Sequence, residues 1–172
     1  MKAKNILQAL SCIALCQAAG IIGSLFTSPN IDSWYAILNR PWFTPPNWVF
    51  APVWITLYTL MGISLYLVLK KKPKNKLPIY VFGIQLALNA LWSYLFFGLN
   101  NPFYAFIEII FLYAFILASI ILFYKVDKRA SYLLIPYIIW VSVATLLNYY
   151  IWILNLWEFG PCILHYWIAK DL

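Results

Sequence analysis

The side chains that could do chemistry in this chain are amides and indoles rather than acids, bases or nucleophiles. Gln85, Asn89 and Trp92 fall at i, i+4 and i+7, so on a helix an amide, an amide and an indole share one stripe. Trp54, Tyr58 and Met61 form a second stripe, and Tyr137, Trp140, Ala144 and Asn148 a third. Such side chains bind: aromatic faces cover a flat apolar ligand, and one or two amides give it direction. The other use of buried amides is to hydrogen-bond across helices, and spacing alone leaves both uses open. Catalytic sets are missing from the sequence, which has one histidine, His165, and no G-x-S-x-G, H-E-x-x-H or glycine-rich phosphate loop. Cys12 and Cys16 share a helix face, but with no histidine or carboxylate beside them they read as packed free thiols rather than a zinc site. Cys162 carries no motif around it. No metal and no cofactor are expected.

The elements that must position these stripes are membrane helices. Of 172 residues 65% are hydrophobic and 10% charged, with a mean hydropathy of +0.81; a water-soluble domain is excluded by these values. A bilayer core about 30 Å thick needs about 20 apolar residues per helix. Five such runs are present, near Ile6 to Phe26, Trp48 to Leu69, Pro78 to Phe97, Phe103 to Tyr124 and Tyr132 to Leu154. None alternates strictly, so each is a helix. The expected fold is all-α, an integral membrane bundle of five transmembrane helices over residues 1–155, followed by a short aromatic tail, 156–172, lying at the interface. The first run is read as a retained helix rather than a cleavable signal, with Gly20, Gly23 and Ser24 as packing residues. Gly98 to Pro102 predicts a tight hairpin, with the glycine just past one helix and the proline in the first turn of the next.

Basic residues divide unevenly across five crossings. Lys2, Lys4, the lysines from 70 to 76, Lys125, Lys128 and Arg129 fall on one side, and only Arg40 and Lys170 on the other. The positive-inside rule places the N-terminus in the cytoplasm, with a bacterial cell membrane as the expected location, or an organelle membrane in a eukaryote. This asymmetry accounts for the net charge of +7 without a nucleic-acid surface. On the less basic side lies Trp34 to Trp54, which holds four tryptophans and the prolines Pro41, Pro45, Pro46 and Pro52. Proline restricts the backbone and removes amide donors, so this linker is expected to be a stiff aromatic lid over a pocket. Trp34, Trp48, Trp152 and Trp157 suit headgroup anchors. Trp92 and Trp140 lie deeper and suit pocket walls.

The lid, TLYTLMGISLYLVLK from Thr56, QLALNALWSYLFFG from Gln85 and LLIPYIIWVSVATLLNYYIWILN from Leu133 resemble, in order and over nearly the whole chain, the translocator protein family, also called tryptophan-rich sensory proteins or peripheral-type benzodiazepine receptors. The resemblance implies a five-helix bundle, often a homodimer, that binds porphyrin, haem and other flat ligands beneath the first loop. It implies that Tyr35, Pro45 and Trp54 roof and wall the pocket, that Asn89 and Trp92 meet the ligand from the third helix, and that Trp140, Ala144 and Leu147 close it from the fifth. Gly83 and Ala87 form a small-xxx-small pair suited to a dimer through helix 3. The family also carries an acid where Glu108 stands; an ionisable group there should face a partner or a polar cavity. One departure matters: after Leu147 and Tyr149 or Tyr150 the residues 151–155 supply no lysine or arginine, so the family's sterol pattern is broken and a tetrapyrrole is the expected ligand. The expected role is sensing, scavenging or translocation. The alternatives are an enzyme that degrades porphyrin oxidatively or in light, with Trp54 and Trp140 as its redox-active residues, and a structural membrane protein.

Overall fold

The computed structural model describes residues 2–156; Cys162, His165, Trp157 and the aromatic-tail expectation lie outside them. The elements are α1 (Lys2–Ile31), α2 (Trp34–Ile37), α3 (Asn47–Lys70), α4 (Leu77–Ser93), a π-helical turn (Tyr94–Gly98), α5 (Pro102–Val126), α6 (Lys128–Tyr132) and α7 (Ile135–Leu154). Among the described residues five helical segments are long and apolar enough to cross a membrane. α3, at 24 residues, is about 36 Å long at 1.5 Å per residue. Large apolar side chains such as Ile21, Ile55, Ile110 and Ile139 point outward. In water that would be a fault; in hydrocarbon it is the stable arrangement.

Local chemistry explains where the helices begin. Pro78, Pro102 and Pro136 each sit in a first turn, where no amide is needed. The Asn101 side chain caps α5 by accepting from the Tyr104 amide at 3.1 Å, and Asp127 caps α6 by accepting from the Arg129 amide at 2.9 Å. Three boundaries differ from the sequence expectation. α1 runs on to Ile31 through Pro29, and polar side chains bond back to carbonyls around the proline: Asn30 Nδ2 donates to Phe26 O at 3.0 Å and Ser33 Oγ to Pro29 O at 2.9 Å. The third span ends in a π turn, and the left-handed residue of the hairpin is Asn100 (φ 51°) rather than Gly98; asparagine tolerates that conformation. The fifth span breaks into α6 and α7 at Leu133 and Leu134.

The spans form a ring in which α1 packs on α3 and α4, α4 on α5, and α5 on α7. The main core includes Met61, Phe82, Ile109, Leu112, Tyr137 and the buried thiols of Cys12 and Cys16. A second core under the lid joins Tyr35 and Leu38 to Phe96, Phe97, Ala105 and Ile151. The α1 and α3 backbones touch at Gly62, where a Cβ would lie 2.5 Å from Ile13 Cα. Backbone cannot rotate away as a side chain can. Gly62→Val is therefore expected to cost about 3 kcal/mol, the upper part of the range for overpacking, and to lower the melting temperature in detergent. Ala18→Val, at an exposed position of α1, should leave it near wild type; equal losses in both variants would refute the crossing argument.

Candidate ligand-binding cavity

One cavity of about 400 Å³ lies under the lid between α1, α3, the end of α4 and α7. α7 supplies Trp140, Ala144, Leu147, Asn148 and Ile151, a 3.6-residue stripe. α3 supplies Asn47, Phe50, Ala51, Trp54, Ile55 and Tyr58. Trp92, Ser93, Phe96 and Phe97 come from α4 and the π turn, and Tyr35 from α2. The π turn sets Phe96 stacked on Trp92 at 5.0 Å between ring centroids. Trp54 stacks on Tyr58 at 5.4 Å, and Phe50 meets Trp140 edge-on at 6.0 Å. The lining surface is thus largely apolar, with eight aromatic side chains among its 24 residues.

Of the residues singled out from sequence, Tyr35, Trp54, Trp92, Trp140, Ala144 and Leu147 share this cavity, and Pro45 and Asn89 do not line it. Asn89 lies behind the wall: Tyr58 Oη donates to its Oδ1, and its Nδ2 donates to Tyr137 Oη at 3.1 Å. Gln85 likewise turns to a neighbouring helix, its Nε2 3.9 Å from Met61 Sδ. Trp92 Nε1 donates to Asn148 Oδ1 at 3.0 Å, and Asn148 Nδ2 to Pro102 O at 2.7 Å. These amides act as interhelical ties that hold the indoles and phenols in place. Glu108 is buried in α5 and does not line the cavity, and among the described residues neither carboxylate oxygen has a hydrogen-bond partner.

Two features were not anticipated from sequence. α1 forms a whole wall through Gln17, Gly20, Ile21, Gly23, Ser24, Thr27, Ser28 and Ile31. Its signal was a stripe of small and polar residues in an otherwise greasy helix. Because Ile21, Ser24 and Ser28 of α1 and Asn47, Ala51 and Ile55 of α3 are exposed, the cavity has a rim between these helices. The second feature is a latch at the end of α7: the Asn39 amide donates to Asn155 Oδ1 and Asn155 Nδ2 to Asn39 O, both at 3.0 Å. One buried amide side chain thus pins the lid backbone. Arg40 lies 5.1 Å from the Tyr35 ring centroid; burial pushes the Tyr35 phenol above its ordinary pKa, with Arg40 pulling the other way. The lid tryptophans divide: Trp34 packs on Phe96 at 5.5 Å, whereas Trp42 and Trp48 are 96% and 75% exposed and suit the headgroup layer. Trp152 instead packs on Phe106 at 5.7 Å.

Residues 12–153 match the TspO/MBR family profile. The chain is 43% identical over 152 residues to the tryptophan-rich protein TspO of Archaeoglobus fulgidus, covering 88% of this chain and 99% of that protein. It is 42% identical over 155 residues to the protein of the same name from Chlorobaculum tepidum, covering 88% and 98%. Identity to the human translocator protein is 37% over 135 residues, covering 76% and 80%. With five membrane-crossing helices and a sequence match through the lid and every span, this chain is a multi-pass membrane protein that belongs to the TspO/MBR family.

Proposed function

We propose that this protein binds tetrapyrroles such as porphyrin or haem in the cavity under the lid and acts in sensing, scavenging or translocation. The observation that carries the reading is the cavity lining: Trp54, Trp92, Trp140, Phe50 and Phe96 present ring faces and edges around one space, which suits a flat macrocycle. The rim supports the choice of ligand, since Ser24, Ser28 and Asn47 offer polar groups to the carboxylate edge of a tetrapyrrole. We place the lid away from the cytoplasm on the lysine asymmetry. The homodimer contact is placed on Gly83 and Ala87, which are exposed on one face of α4, with nothing within 4 Å of a Cβ built on Gly83.

Titration of the detergent-solubilised protein with protoporphyrin IX tests this reading. Saturable tryptophan quenching is expected, with affinity lowered about tenfold in Trp140→Phe, about 1.4 kcal/mol. Quenching that rises linearly and equally in both proteins means partitioning without a site. A second reading, light-dependent oxidative breakdown with dioxygen as oxidant, draws support from the packing of Trp54 on Tyr58 and, edge-on at 6.3 Å, on Tyr137. It requires loss of the bound porphyrin's absorbance in light that stops in Trp54→Phe or Trp140→Phe while binding persists.

A further inference from the structure

The seam between α3 and α7 is the weakly tied side of the ring. Among the described residues no hydrogen bond joins these two helices directly, whereas Gln17 Nε2 ties α1 to α3 through Ile55 O at 2.9 Å and Thr59 Oγ1 at 3.0 Å. Along the seam the two helices meet through ring contacts, Phe50 on Trp140 and Trp54 on Tyr137, and through Asn89, which bridges Tyr58 to Tyr137; the other polar ties lie beyond its ends. On the lysine-rich side Ser64 Oγ donates to Ala130 O at 2.7 Å, and on the lid side Asn155 holds Asn39. Between these ties a second, apolar hollow of about 550 Å³ runs along the outside of the bundle, walled by Pro52, Thr56 and Leu60 of α3 and Pro136, Ile139 and Val143 of α7. Both walls lie inside membrane spans, so the hollow opens onto lipid tails.

Trp140 is the one described residue that lines both this hollow and the inner cavity. Its indole is half-buried, sits at the deep end of the α7 cavity stripe, and is held from α3 by the edge-on Phe50 ring alone among the ring contacts. A rotamer change at this one side chain would move a wall that both spaces share. Pro52 helps: lacking an amide, it leaves α3 without one backbone hydrogen bond at the hollow, so the lid-side end of α3 can bend at modest cost.

We propose that the α3–α7 seam is a side door through which apolar, membrane-dissolved ligand passes between the lid-side leaflet and the cavity, with the Trp140 indole as its leaf. This rests on the tetrapyrrole-binding reading and adds the route. The rim between α1 and α3 is the competing entrance, and the two make different kinetic predictions.

The test uses the full chain in lipid nanodiscs with protoporphyrin IX as probe. Porphyrin fluorescence follows association by stopped flow, and dilution into excess empty liposomes gives dissociation. Thr56→Trp and Val143→Trp fill the hollow from opposite walls, at positions that do not themselves line the inner cavity. Each is expected to slow association and dissociation at least tenfold with Kd within twofold of wild type, while Trp140→Ala speeds both. Unchanged rates in the two filling variants overturn the side door in favour of the rim or the lid. A weakened Kd in both overturns it too, because the hollow would then be part of the site. If wild type itself shows no saturable binding, the tetrapyrrole reading has failed, and the route falls with it. Should one filling variant not fold, the other, introduced from the facing helix, decides.

Discussion

Ala144→Phe is expected to abolish saturable porphyrin binding, weakening it at least a hundredfold, while the protein keeps its fold. Ala144 lies on the cavity stripe of α7, one turn from Trp140 and one from Asn148. A methyl group there leaves space; a benzyl group fills it with a ring where the ligand's ring should lie. A hundredfold loss is about 2.7 kcal/mol, modest beside the stacking contacts that would be displaced. Stability should hold, because the added atoms enter an existing void and gain contacts. Val143→Phe is the matched control: the neighbouring position faces the outer hollow, so equilibrium affinity should stay within about threefold, a change of well under 1 kcal/mol. Equal affinity in Ala144→Phe and wild type, measured by porphyrin fluorescence at equilibrium, would place the ligand elsewhere on the protein.

The spans were legible because hydrocarbon imposes a length and a composition that few other settings require. The α7 stripe was legible from helical spacing: of Tyr137, Trp140, Ala144 and Asn148 the last three line the cavity, while Leu147, which also lines it, was implied by the resemblance. The α1 wall was not. Its residues are small, and a glycine or serine in a membrane helix signals close approach without saying to what; Gly20 turns out to face the Tyr58 ring and Gly23 the Ser93 hydroxyl. The lid shows a different limit. Its prolines and tryptophans announced a folded linker, yet what fastens it is Asn155, separated from Asn39 by 116 positions. Nothing local marks a lone asparagine at a helix end as a latch. Pro45 was drawn toward the cavity by resemblance alone, and it stands in the lid, half-buried, outside the lining.

Asn89→Leu should destabilise the bundle by about 2–4 kcal/mol, roughly the cost of leaving two buried polar groups unpaired. Its amide joins three helices: it accepts from Tyr58 of α3 and donates to Tyr137 of α7, which is 1% exposed. Leucine matches the volume and supplies neither bond. A site at which the amide touched ligand directly would behave differently, losing affinity while keeping stability. The two cases separate in a double-mutant cycle with Tyr58→Phe, which removes the same hydroxyl from the other end. Because both substitutions break one shared bond, their unfolding free energies should fall short of additivity by about 1 kcal/mol. Affinity should drop only a few-fold in Asn89→Leu, through a loosened Tyr58 beneath Trp54. Full additivity in stability together with a large selective loss of porphyrin affinity would move Asn89 from behind the wall to the ligand itself, and would mean that Tyr58 swings aside when the cavity fills.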